Sequence, residues 1–217
     1  PSIDPKDLDS LSPYLDLCHR LGAFARQAAK GSVESIKITY FGGIVDFDCV
    51  PLTRAVQKGW LSGVVGDEGV NDVNAPFKIK DLGIKVETVK SSASIDYSEL
   101  IEVLTTASDG DQRSVRGSLL GKGNDPRIVE VDGQAIEVRP VDTLLVVRNV
   151  DKPGIVGKLG TMLGDCSVNI ANMSLSRADE GESALTIFEL DDEPPVHALQ
   201  AIEQDPDIQE ARVSRQG

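Results

Sequence analysis

The sequence predicts an α+β fold in two parts, a larger α+β domain and then a smaller βαββαβ module. Three observations carry this. At 217 residues the chain is long enough for two small domains, each near the size at which one core suffices. The apolar period is helical early in the chain and changes to two from Ile84 onward. In the last third, Asn149-Val150-Asp151-Lys152-Pro153-Gly154 separates a strand-like run from a helix-like run.

Residues 4–30 read as one amphipathic helix. Asp4-Pro5 supplies an N-cap with proline at the first helical position, and Asp7 and Asp9 favour the first turn. Leu8, Leu11, Leu15, Leu17, Leu21 and Phe24 form its stripe, Gly31 ends it, and Pro13 predicts a kink or short break near Ser12. A strand follows from Val33 to Tyr40, with Gly42-Gly43 as its turn. Asp48 to Trp60 carries Val50, Leu52, Ala55 and Val56 at helical spacing and is expected to end at Gly59, and a short helix runs from Phe77 to Leu82. Strands are then expected over 84–89, 99–106, 112–120 and 127–131. Asp132-Gly133 is a two-residue hairpin signal leading into 134–138. The first domain thus places helices early and an antiparallel sheet late, with a boundary near Pro140.

The remainder reads strand 143–149, helix 154–164, strand 168–176, strand 184–190, helix 195–204 and strand 208–213. Asp179-Glu180-Gly181-Glu182 forms the middle hairpin. Gly154, Gly157 and Gly160 keep the first of these helices slim. This order gives a ferredoxin-like sheet of four antiparallel strands with both helices on one face. The other face and one edge strand would be bare, and such modules tend to pair.

Composition narrows the function. The net charge of −13 disfavours nucleic-acid or anionic-membrane binding, because phosphate affinity needs clustered Lys and Arg. No run of about 18 apolar residues is present, so no membrane partner is expected. Cys18, Cys49 and Cys166 are scattered and odd in number, with only His19 and His197 to supplement them. No metal is expected, and buried, reduced thiols in a cytoplasmic protein (or in an organelle of a eukaryote) are. The chain opens at Pro1, directly into a patterned segment, and reads as a piece of a longer protein.

Strand, polar turn, helix and second strand can bring Asn149, Asp151 and Asn169 together at one edge. That group suits the ammonium and carboxylate of a free amino acid. It has no His, Cys or Lys poised as acid, base or nucleophile, so no catalytic residue is assigned. Plainer readings remain open. Asp151 to Gly154 also suits a simple strand-to-helix turn with an Asp cap, and Asn169 a strand start. Gly42-Gly43 reads as a turn, and Asp191-Asp192-Glu193 as a cap before Pro194-Pro195.

Two resemblances follow from motifs. Asn149-x-Asp151-Lys152-Pro153-Gly154, followed by Ser167-Val168-Asn169-Ile170, resembles an ACT domain, with Ser167 where many relatives carry glycine. Residues 31–140 resemble the allosteric substrate-binding domain of long-form D-3-phosphoglycerate dehydrogenases. That match rests on Ile38-Thr39-Tyr40-Phe41-Gly42, Val73-Asn74-Ala75-Pro76, and Gly117-Ser118-Leu119 through Arg127-Ile128-Val129 to Arg139. Pro13-Tyr14-Leu15 and Leu21-Gly22 resemble the helix leaving that family's dinucleotide-binding domain. The implied domains are a connecting helix over 1–30, a substrate-binding-type domain over 31–140 and an ACT domain over 141–217. No strand–GxGxxG–helix unit and no catalytic Arg, Glu and His constellation is present. The resemblance therefore implies a non-enzymatic regulatory part, with NAD held elsewhere and no cofactor of its own.

It further implies L-serine, an amino-acid-biosynthesis end product, bound between paired ACT domains of a homo-oligomer. Asp151 would meet the ammonium, Asn149 and Asn169 would hold polar groups, and backbone N–H groups at Gly154 and Ile155 would meet the carboxylate. In the first domain it implies an anion pocket for 3-phosphoglycerate or a similar anion. Arg127 and Arg139 would line it, with Lys122, Arg113 and Arg116 as neighbours and Gln134 where some relatives are basic. Arg127 and Arg139 also suit surface charges paired with carboxylates. Other readings are a subunit of another amino-acid enzyme, such as an L-serine dehydratase, or an assembly module that binds nothing.

Overall fold

A computed structural model describes residues 5–65, 69–93, 95–178 and 183–215. The expected cap at Asp4 and the turn at 179–182 lie outside the described residues. The chain divides into two compact units, residues 1–133 and 134–217.

In the first unit, α1 (Pro5–Ala28) runs through Pro13 without a break. Proline removes one backbone hydrogen bond, and the burial of Leu11, Leu17, Leu21 and Phe24 holds the helix on either side of it. This helix is part of the unit's core. Gly117 lies so close to Leu17 and Leu21 that a Cβ there would meet their methyls at 2.9–3.0 Å.

Strands β1 (Val33–Gly42), β2 (Lys85–Ser91), β3 (Glu99–Ala107), β4 (Gln112–Leu120) and β5 (Asp125–Val131) follow the order β2-β1-β3-β4-β5. The period of two is right, but the sheet is not wholly antiparallel. β1 and β2 pair in parallel, Ile36 opposite Val86 and Ile38 opposite Thr88. A parallel partner needs a long crossover, and α2 (Val50–Val65) and α3 (Ala75–Asp81) supply it.

The expected stop of α2 at Gly59 is overturned, for the helix continues to Val65. A Cβ at Gly59 would sit 1.8 Å from the His19 carbonyl oxygen, and one at Gly22 would sit 2.1 Å from that of Val56. Both glycines exist to let α1 and α2 touch backbone to backbone, not to end anything. The Arg26 guanidinium lies over the Trp60 ring, 5.1 Å from its centroid, beside this crossing. At the end of β5, Asp132 and Gly133 both have positive φ (49° and 79°), the type I′ geometry that Asp-Gly favours.

The second unit begins with β6 (Gln134–Val138). Its sheet comprises β7 (Thr143–Val150), β8 (Ile170–Arg177), β9 (Ser183–Leu190) and β10 (Ile208–Arg215), with α4 (Ile155–Asp165) and α5 (Val196–Glu203). The order β10-β7-β9-β8, all antiparallel, is the ferredoxin-like arrangement. Leu145, Val147, Phe188 and Leu190 on the sheet meet Ile155, Leu159, Leu163 and Ile202 from the helices.

The opposite face is not bare. Alternation puts Leu144, Val146, Leu185 and Ile187 there, and all are buried. Part of the cover is β6 and the residue after it. The Ser174 hydroxyl donates to the Glu137 carbonyl (2.5 Å), and Arg139 grips Glu189. The edge strand β8 fits the expectation better, with Met173 and Leu175 exposed. Cysteine placement departs in part from expectation. Cys18 and Cys49 are buried, whereas Cys166 is half-buried with its thiol 3.5 Å from Nε2 of His197.

Candidate functional site

The polar turn between β7 and α4 is built by its sequence. Gly154 adopts φ 92°, in the left-handed region where glycine is unstrained, and this swings the chain from strand into helix. The turn is tied to the start of β10: Lys152 Nζ meets Asp207 Oδ1 at 2.6 Å, and Val150 N–H donates to the Asp207 carbonyl at 2.8 Å. One turn into α4, Lys158 pairs with Asp205 and reaches Asp207 at 3.6 Å. The Lys158 ammonium is held above its usual range by the hydrogen bond to Asp205, and that carboxylate is held correspondingly low. The first N–H groups of α4, from Ile155 onward, have no acceptor within the helix, and they lie beside Gly154.

The predicted ligands take different roles. Asn149 is fully buried. Its Nδ2 donates to the Val150 carbonyl (2.8 Å) and its Oδ1 accepts from Thr186 Oγ1 (3.1 Å). It is a satisfied internal amide. Asp151 is largely enclosed, and its Oδ2 lies 3.1 Å from Arg177 Nε. Asn169 donates through Nδ2 to Asp191 Oδ2 at 2.5 Å, and Ser167 just before it holds φ 59°, where a glycine would be unstrained.

Within one chain these residues do not converge. Arg177 is opposite Ala184, which is opposite Asn149, while Ile170 is opposite Leu190. Asn149, Asp151, Gly154 and Ile155 therefore sit at one end of the sheet and Asn169 at the other. The eight residues of β8 put about 25 Å between these ends. The expected meeting at one edge fails because β9 lies between β7 and β8 and makes those two strands parallel to each other. Arg177 was not legible in advance. Only its register, at the same end as Asn149, marks it as the partner of Asp151.

The basic residues predicted for an anion pocket are also distributed. In the first unit, Lys122 lies in the turn between β4 and β5, and Arg127, at the start of β5, donates to the Pro126 carbonyl (2.9 Å). Arg113 is paired with Asp111 and Asp132, and Arg116 with Glu102 and Glu130. For Arg116, burial acts to lower the pKa, but the two carboxylates outweigh it and hold the charge on. In the second unit Arg139 bonds to Glu189 through backbone N–H (3.0 Å), Nε (3.0 Å) and Nη2 (2.9 Å), and Asn172 adds a further donor (3.0 Å). Gln134 accepts from Arg148 (2.5 Å). Among the described residues no cluster of His, Cys, Asp and Glu could hold a metal ion, and no helix is long and apolar enough to cross a membrane.

Residues 10–132 match the family model described as the D-3-phosphoglycerate dehydrogenase intervening domain. The chain belongs to that family. Residues 143–207 match the ACT domain model, in keeping with the ferredoxin-like topology. A D-3-phosphoglycerate dehydrogenase of Methanocaldococcus jannaschii is 33% identical over 214 residues, covering 98% of this chain and 40% of the relative. One of Synechocystis is 35% identical over 203 residues, with 93% and 36% covered. One of Bacillus subtilis is 29% identical over 191 residues, with 88% and 36% covered. The chain thus spans about two fifths of the length of these relatives.

Proposed function

We propose that this chain is the regulatory part of a D-3-phosphoglycerate dehydrogenase, without catalytic residues of its own, and that L-serine binds where two ACT units pair. The observation that carries the reading is the arrangement of β8. It is the last strand of its sheet, with exposed apolar side chains, and the two halves of the polar set lie beyond its opposite ends. A two-fold axis that pairs two β8 strands antiparallel brings unlike ends together. Asp151 and the start of α4 from one copy then face Asn169 of the other.

In that junction Asp151 accepts from the ammonium, and the first N–H groups of α4 meet the carboxylate. Asn169 of the second copy holds the remaining polar group. Arg177 must release Asp151 when the ammonium arrives. Asn149 supports the turn from inside and is not a contact. A ligand of serine's size binds with at most about 10 kcal/mol, and a coupling of about 1–3 kcal/mol is sufficient for allosteric control. Serine would act by shifting the population of productive orientations in the rest of the enzyme, where NAD and substrate are handled. A second effector, a phosphorylated substrate-like anion, would rest on Arg127 and Lys122, since Arg139 already neutralises Glu189.

Mixing variants tests the pairing. Asp151→Ala and Asn169→Ala chains alone should each lose calorimetric serine binding. Refolded together they should regain about a quarter of the sites, because half of random pairs are mixed and each mixed pair has one intact junction of two. If the mixture binds nothing while wild type binds, the shared junction is wrong. If either single variant binds as wild type does, its residue is not a contact.

A further inference from the structure

The first unit contains a cavity of about 380 Å³ that shares no residue with the serine or anion assignments. It lies against Thr88 and Lys90 in the second half of β2, beside the first turns of α2 and the start of α3 at Pro76. Its volume is at the lower end of the range of about 300–1,000 Å³ for small-molecule sites.

Two side chains in its wall await a partner. Gln57 is only 6% exposed and lines the cavity. Among the described residues it has no hydrogen-bond partner, yet its amide is not among the fully enclosed unpaired polar atoms. The amide therefore keeps a face on the cavity. A largely buried amide without a protein partner favours an occupant that bonds it. Arg54, one helical turn before Gln57, also lines the cavity and has no partner among the described residues.

The other polar groups are mostly committed. Lys90 donates to the carbonyls of Val45 (2.6 Å) and Phe47 (2.8 Å), and Asp48 accepts from Val50 N–H (3.0 Å). The Thr53 hydroxyl lies 3.0 Å from that of Tyr40 and 3.4 Å from that of Thr88. The wall carries Arg54 and Lys90 against Asp48, which leaves one positive charge. Val50, Pro76, Cys49 and the threonine methyls supply apolar surface.

We propose that this cavity binds a small organic monocarboxylate with a short aliphatic body. Arg54 grips the carboxylate in a fork, Gln57 bonds a second polar group such as a hydroxyl, and the aliphatic part lies against Val50 and Pro76. The single net charge favours a monoanion over a phosphate dianion.

The test is calorimetry on the whole chain with 2-hydroxybutanoate as probe. Wild type is expected to bind with a millimolar Kd, and butane-1,2-diol, which lacks the charge, should not bind. Arg54→Met should weaken the probe by at least about tenfold, as loss of a charge-assisted bond requires, and Gln57→Leu by several-fold. Val50→Trp, at the exposed rim, should block the cavity without lowering the unfolding temperature, so its loss of binding cannot be ascribed to misfolding. The proposal is overturned if the probe does not bind wild type at 20-fold over 1 mM (roughly the weakest useful affinity), if Arg54→Met or Val50→Trp binds it unchanged, or if inorganic phosphate binds more tightly through Arg54.

Discussion

Replacing Gly59 by alanine probes the α1–α2 crossing, on which the first unit depends. The new Cβ would fall 1.8 Å from the His19 carbonyl oxygen and 2.7 Å from its carbon, whereas real Cβ contacts essentially never fall under 3.0 Å. The helices must separate locally by more than about an ångström, the gap between that overlap and van der Waals contact. No flexible side chain can yield in their place, because the three nearest atoms are all backbone. Overpacking of this kind costs about 1–3 kcal/mol and sometimes more. Alanine recovers about 1 kcal/mol of helix propensity. With the clash at the top of its range, the net loss should be about 2 kcal/mol. Trp60, the only tryptophan, is buried next to the site, so its fluorescence reports this unit's unfolding. The urea midpoint should fall by about 1 M. Gly157→Ala on the exposed face of α4, where a Cβ meets nothing within 4 Å, should instead gain about 0.5–1 kcal/mol by circular dichroism. If Gly59→Ala unfolds at the same or higher urea, the close approach is not what selects glycine there.

Two further outcomes follow from charge. Glu189 is 1% exposed, and Arg139 is its cationic partner. Arg139→Met should therefore cost about 2–4 kcal/mol in thermal or urea unfolding, and adding Glu189→Gln should recover most of it. An unchanged midpoint in the single variant would show that Asn172 and the backbone N–H of residue 139 suffice for the carboxylate. In the first unit the Tyr14 phenol is pushed up to about 12, chiefly by burial and next by its hydrogen bond to Glu99. A folded-state value above the unfolded one gives stability that is complete below about pH 10 and lost as pH rises towards 12. After allowance for solvent screening the loss is about 1–2 kcal/mol. Tyr14→Phe should flatten the fall in Trp60-detected stability between pH 9.5 and 11.5, a window spanning about two units around the tyrosine range. An identical fall in the variant would assign it elsewhere.

Much of the second unit was legible because its signals are local. The apolar run before Asn149, the Pro-Gly turn and the stripe of Ile155, Leu159 and Leu163 each act within a few residues, and they place β7 and α4 within a residue or two of their ends. Gly59 shows the limit. A glycine after an amphipathic run looks like a helix end, and only the approach of His19, forty residues away in the chain, shows that it is a contact. Asn149 shows another. A polar residue beside a conspicuous turn suggests a ligand, but its partner Thr186 arrives from β9 and leaves it enclosed.

The sequence alone determined the α+β class, the strand and helix content and the βαββαβ order, because side-chain period and turn chemistry are properties of neighbouring residues. Which strands lie side by side in the first unit was decided only in three dimensions, where β2 joins β1 in parallel. In the second unit the ferredoxin-like order was expected, and it was the strand register that showed Asp151 and Asn169 at opposite ends of the sheet. That outcome depends on burying every apolar face at once, and no local pattern records it.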